Sequence, residues 1–127
     1  MKRDMDLLRA ILLTIESEHD SDKVIMLEPE MLAKDFPNLS NTDLQAHVRL
    51  LIGCAYLIPS ESRLAGEWLK GITMSGYDFL DSVRDPEMWR RTKETANKVG
   101  GWTMKSILEI AMALAADSLK EMFGVNQ

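Results

Sequence analysis

The 127-residue chain has little of what most enzymes and secreted proteins rely on: one cysteine, two histidines, four prolines and no long apolar run. With Cys54 alone, no internal disulfide can form, and a reducing cytosol is the expected home. A membrane-spanning helix needs roughly 18–20 apolar residues in sequence, and charged side chains interrupt every run well before that length. Asp4, Asp6 and Arg9 break the apolar core a secretory leader would need, so none is expected. His19 and His47 stand outside any zinc-ligand spacing, and no Cys-x-x-Cys or His-Glu-x-x-His occurs. Glu16, Glu18, Asp20 and Asp22 lack the glycine order of a calcium loop and read as a solvated helix end. The glycines form no phosphate cradle, and Ser75-Gly76 lacks the nucleophile-elbow pattern. Cys54 and His47 make a conceivable Cys/His pair, but the apolar stretch around Cys54 reads it as a small core hydrophobe. No catalytic residue, metal, cofactor or small-molecule substrate is expected.

What is present suffices for one packed domain: 46% apolar and 28% charged residues exclude wholesale disorder. Twenty anions against fifteen cations leave −5, which weighs against an ordinary nucleic-acid binder. Asp4 opens a helix over Met5–Glu18, with Leu8, Ile11, Leu12 and Ile15 at helical spacing. Val24-Ile25-Met26-Leu27 has strand composition. Pro29 starts a short second helix to about Asp35, burying Met31, Leu32 and Phe36, and Pro37 stops it. Ser40 caps a third helix to Gly53 with Leu44, Val48, Leu51 and Ile52 on its apolar stripe. Residues 55–58 and 68–72 read as a hairpin across the turn-rich tip Pro59-Ser60-Glu61-Ser62. Thr73 caps a fourth helix carrying Tyr77, Phe79, Leu80 and Val83. Asp85-Pro86 starts a fifth to about Val99, Gly100-Gly101 forms a hinge, and Thr103 caps a last helix to about Phe123. The order predicts a mainly α protein with a small β-hairpin. It is that of a winged helix-turn-helix core over residues 1–84, with a C-terminal helical extension over 85–127 packed on it as a single domain.

Three segments carry a family resemblance: Met1-Lys2-Arg3-Asp4-Met5-Asp6-Leu7, His47-Val48-Arg49-Leu50-Leu51-Ile52, and Ile72-Thr73-Met74-Ser75-Gly76-Tyr77-Asp78-Phe79-Leu80-Asp81. They resemble domain-of-unknown-function family 2513, small phage and prophage proteins, and the resemblance runs on through Arg84-Asp85 and Trp89 to Lys93. It implies a cytoplasmic, often phage-encoded protein with a winged-helix-like core, and supplies no activity or site residues. One departure is Gly53-Cys54-Ala55-Tyr56, where related winged helices show glycine directly before the strand.

The third helix is the candidate recognition helix. Asn41, Thr42, Gln45 and Arg49 on its outward side, with Arg63 and Lys70 from the hairpin, form a candidate DNA or partner surface. From Glu28 to Ser60, however, only Lys34 and Arg49 oppose Glu28, Glu30, Asp35 and Asp43, which offers little phosphate neutralisation. Arg84, Arg90, Arg91, Lys93, Lys98 and Lys105 make a candidate basic patch, or else a solvated face of intrahelical pairs such as Arg90–Glu94. The last helix is apolar almost all round, so it is either a sandwiched core element or a subunit interface. Met104, Leu108, Ala111, Ala115, Leu119 and Met122 form one stripe suited to a homodimer, with Leu114 beside it. Two functions remain open: a non-enzymatic protein-interaction module, with a host factor as one candidate partner, and a small DNA-binding regulator reading with helix 41–53 and the wing. The acidic balance favours the protein partner.

Overall fold

A computed structural model of the chain describes residues 1–18, 22–61 and 66–124. Among these are helices α1 (Met5–Glu18), α2 (Asn41–Gly53), α3 (Met74–Val83), α4 (Pro86–Val99) and α5 (Met104–Met122), and strands β1 (Leu57–Pro59) and β2 (Leu69–Ile72). The protein is thus mainly helical, with a small antiparallel sheet in which Leu57 faces Ile72 and Ile58 faces Gly71. A bulge then brings Pro59 opposite Leu69, leaving Lys70 as the extra residue. Two compact units divide between Asp78 and Phe79, within α3.

The helices begin where side-chain oxygens can satisfy their first free N–H groups. Asp4 Oδ1 accepts from the N–H groups of Asp6 (2.9 Å) and Leu7 (3.3 Å). Ser40 Oγ accepts from Asp43 (3.1 Å), Asp85 Oδ2 from Met88 (2.8 Å) and Thr103 Oγ1 from Ser106 (3.0 Å). In the N-terminal unit, α1 packs on α2 and β2, and α2 packs on β1. Leu8, Ile11, Leu12 and Ile15 of α1 meet there with Leu44, Val48 and Leu51 of α2, all buried. Each such side chain contributes about 1.5–3 kcal/mol relative to exposure. In the C-terminal unit α4 and α5 pack as a helical pair, joined through Gly100 in the left-handed conformation (φ 72°).

Three expectations need correction. The 24–27 strand shrinks to one residue, Ile25, which exchanges backbone hydrogen bonds with Leu69 at 2.9 and 2.7 Å. The second helix is a single 3-10 turn, Pro29–Leu32, because the few residues between Pro29 and Pro37 cannot repay the cost of nucleating an α-helix. Its Met31 is exposed rather than buried, with Sδ accepting from the Glu28 N–H at 3.3 Å. The first hairpin strand begins at Leu57, not Ala55, because Ala55 is left-handed (φ 62°). It ends α2 in a Schellman turn: the Tyr56 N–H donates to Leu51 C=O (2.9 Å) and the Ala55 N–H to Ile52 C=O (3.0 Å).

Candidate interaction surface

The outward side of α2 starts from side chains that its apolar stripe leaves outside. Asn41, Thr42, Asp43 and Arg49 are exposed, and so is the apolar Leu50. Gln45, expected to face a ligand, is 8% exposed and committed to the protein interior. Its Nε2 donates to Leu27 C=O (3.0 Å) and to Asn41 Oδ1 (3.4 Å), and its Oε1 accepts the Glu67 N–H (3.4 Å). One amide therefore ties α2 both to the segment before the 3-10 turn and to the approach to β2. Leaving the Leu27 carbonyl unpaired would carry the cost of burying a bare polar group, since Leu27 is buried. The same tie brings Glu67 beside Arg49, where Oε1 and Nη1 stand 3.8 Å apart. As the pair is largely exposed, its direct stabilisation is small; its consequence is electrostatic, since Arg49 is the sole Lys or Arg of α2. Lys70 is exposed on β2, and Arg63 lies outside the described residues, as do His19 and Asp20 of the acidic stretch.

His47 is 2% exposed. Its Nε2 accepts the Asp4 N–H at 2.9 Å, and its Nδ1 lies 2.8 Å from the Asp43 carbonyl. A backbone donor on one nitrogen and a carbonyl on the other assign the neutral Nδ1–H tautomer. No ring nitrogen is left for a Cys/His pair. Cys54, expected in the core, is instead exposed at the end of α2. Partial burial of its sulfur still pushes the thiol pKa up, the opposite of what an activated nucleophile requires.

Thr73 and Gly76 build the start of α3. Thr73 Oγ1 accepts from the Gly76 N–H (3.0 Å) and donates to Ala55 C=O (2.5 Å), while the Thr73 N–H donates to Tyr56 C=O (3.0 Å). A Cβ on Gly76 would lie 2.3 Å from the Tyr56 carbonyl oxygen, so glycine alone permits this approach. Phe79 and Leu80 further along α3 are buried.

Two arginines of the expected basic patch are paired with carboxylates three or four residues away in sequence. Arg84 meets Asp81 at 2.8 Å, and Arg90 is held by both Glu87 and Glu94. The hydrogen bond from Arg90 holds the Glu87 carboxyl below its usual range. Lys93 lies 5.6 Å from the centre of the Trp89 ring. Lys98 and Lys105 are exposed and Arg91 is half-buried. The whole formal charge of −5 falls on the N-terminal unit, where thirteen anions oppose eight cations; after Asp78 seven oppose seven.

On α5, Ala111 is fully buried together with Ile107, while Met104, Leu108, Leu114 and Ala115 are half-buried. The six-residue stripe read from sequence keeps to one side of the helix but changes burial along it, covered at Ala111 and exposed at Leu119 and Met122. Met112, Leu119 and Met122 are each more than half exposed, as is Phe123 just beyond the helix. No helix among the described residues is long and apolar enough to cross a membrane. Among the same residues no group of three His, Cys, Asp or Glu side chains is placed to hold a metal ion.

These observations define a small, mainly helical protein whose polar buried residues are spent on holding its elements together. The chain belongs to the family described as hypothetical protein (DUF2513), whose pattern matches residues 2–103. A Haemophilus influenzae protein carrying the description "uncharacterized protein" is 24% identical over 123 residues, covering 94% of this chain and 99% of its own. No solved structure matches. The matched region takes in α1 to α4 and stops at Thr103, the cap of α5. The opening residues and the 47–52 segment, which carry the resemblance, meet through the Asp4–His47 hydrogen bond.

Proposed function

We propose that this chain is a non-enzymatic protein-interaction module on a winged-helix-like core. The order of α1, the Ile25 bridge, the 3-10 turn, α2 and the β1–β2 hairpin supports that core. The observation that carries the function is the pairing of Arg49 with Glu67. It neutralises the one Lys or Arg of the would-be recognition helix and leaves Asp43 and Leu50 exposed beside it. Nucleic-acid affinity is dominated by phosphate neutralisation, which a paired Arg49 beside an exposed Asp43 supplies poorly. Affinity capture with the intact protein from a bacterial host, with and without nuclease, is the test. A specific protein that survives nuclease treatment supports the module; recovery that depends wholly on nucleic acid overturns it.

The alternative, a small DNA-binding regulator, draws on the exposed Asn41, Thr42 and Arg49 at the start and outward side of α2. It predicts a nanomolar complex with one duplex that Arg49→Ala abolishes. The module predicts nothing tighter than the non-specific range of about 10⁻⁴–10⁻⁶ M at physiological salt. We also propose self-association through the outward side of α5, centred on Met112, Leu119 and Met122 with Phe123 beyond them. Light scattering at micromolar concentration should give a dimer that Leu119→Glu dissociates; a monomeric parent protein refutes it.

A further inference from the structure

A hollow of about 350 Å³ opens in the N-terminal unit, where the starts of α1 and α2 meet the turn after the 3-10 helix. Leu7, Phe36, Pro37 and Leu39 supply its apolar lining. Leu7 is buried and Phe36 and Leu39 are half-buried, so these lie deep. Asp4, Asp35 and Asp43 line it too and are exposed, so the carboxylates stand at the rim, opposed there by Lys2 alone. The buried His47 ring ties two of these residues together: one nitrogen holds the backbone of Asp4 and the other the backbone of Asp43.

We infer that this hollow receives a lysine or arginine side chain of a protein partner. The inference rests on the protein-interaction reading and names the chemistry of the partner. A long cationic side chain lays its methylene stem along apolar surface and keeps its charged head in polar surroundings, which matches apolar walls below a rim of three carboxylates. The complementarity extends beyond the hollow, because the unit that contains it carries the entire net charge of −5. An anion would meet three carboxylates and one lysine. A metal ion would need ligands drawn together, and the described residues hold no such group. With the rim exposed, a single side chain binds weakly, so the hollow serves as one anchor within a wider contact.

The test is an amide chemical-shift titration of the intact 15N-labelled protein with Nα-acetyl-arginine amide and Nα-acetyl-lysine amide. Nα-acetyl-norleucine amide tests the uncharged stem. The basic probes should give saturable shifts at Leu7, Asn38, Leu39, Asp43 and His47. Asp35→Asn and Asp43→Asn should each weaken binding roughly three- to fivefold, the scale of one exposed charge pair. Glu30→Gln, outside the hollow, should change nothing. Equal shifts with the norleucine probe, no saturation at those amides, or indifference to both aspartate variants would overturn the assignment. Host-protein capture that persists alongside such a failure refutes the hollow and leaves the module standing. A nanomolar duplex complex refutes the module itself.

Discussion

Gly76 and Gly53 invite the same substitution with opposite outcomes. At Gly76 a new methyl would lie 2.3 Å from the Tyr56 carbonyl oxygen and 2.6 Å from Ile72 Cγ2. The carbonyl cannot swing aside freely, because it accepts the Thr73 N–H at 3.0 Å. Reaching ordinary van der Waals separation requires the start of α3 to retreat by about 1 Å. That movement loosens the Thr73–Tyr56 and Thr73–Ala55 hydrogen bonds together. Overpacking of this kind costs about 1–3 kcal/mol, and each weakened hydrogen bond adds up to about 1 kcal/mol. The better helix propensity of alanine returns about 1 kcal/mol, so the net destabilisation of Gly76→Ala should be about 2 kcal/mol. At Gly53, the last residue of α2, a methyl meets nothing within 4 Å. There only the propensity gain remains, and Gly53→Ala should stabilise by about 0.5–1 kcal/mol. Urea unfolding followed by far-ultraviolet circular dichroism compares the two variants. A Gly76→Ala midpoint equal to or above that of the parent protein would refute the close-approach constraint.

Ala55→Gly should stabilise by up to about 1 kcal/mol and so raise the same midpoint, since Ala55 holds a left-handed φ of 62° in the position where glycine carries no steric penalty; a lower midpoint contradicts this. Gln45→Ala should cost about 2–3 kcal/mol by stranding Leu27 C=O and the Glu67 N–H, and hydrogen exchange at Glu67 should accelerate; a neutral result would mean that water replaces the amide without loss. Cys54 has its thiol pKa raised by partial burial, so less of it is thiolate at any given pH below that value. Iodoacetamide should therefore alkylate it more slowly at pH 8 in the folded protein than in the urea-unfolded protein, and equal or faster labelling when folded would show that the sulfur is not shielded.

Local chemistry made the helices legible in the sequence. Asp4, Ser40, Asp85 and Thr103 are capping residues followed by periodic apolar positions, and α1, α2 and α4 run between the residues so marked. What depended on distant partners was hidden. Gln45 sits at the edge of the apolar stripe, and its burial depends on Leu27 and Glu67, which are 18 and 22 residues away. The sequence offers only a polar residue next to Leu44, which fits an outward role equally well. His47 was legible as a residue of α2 but not as a partner of the Asp4 N–H, 43 residues earlier. On α5 the apolar residues surround the helix, so periodicity could not choose a side; packing beside α4 does so by burying Ile107 and Ala111. The acidic hollow joins Asp4, Asp35 and Asp43 from three separate segments, and no spacing rule connects them.

The long ties of the N-terminal unit also bear on how quickly the chain finds its structure. The Asp4–His47 bond spans 43 residues, and Ile25 must find Leu69 across the 3-10 turn, α2 and β1. Each of these contacts requires closing a long loop before any packing rewards it, and proteins dominated by such non-local contacts fold more slowly. The α4–α5 pair joins neighbours in sequence through Gly100 and Gly101. Its contacts are therefore accessible early, while the Ile25–Leu69 bridge and the Gln45 tie should form late. Refolding monitored at Trp68, beside β2, should lag behind refolding monitored at Trp89 in α4.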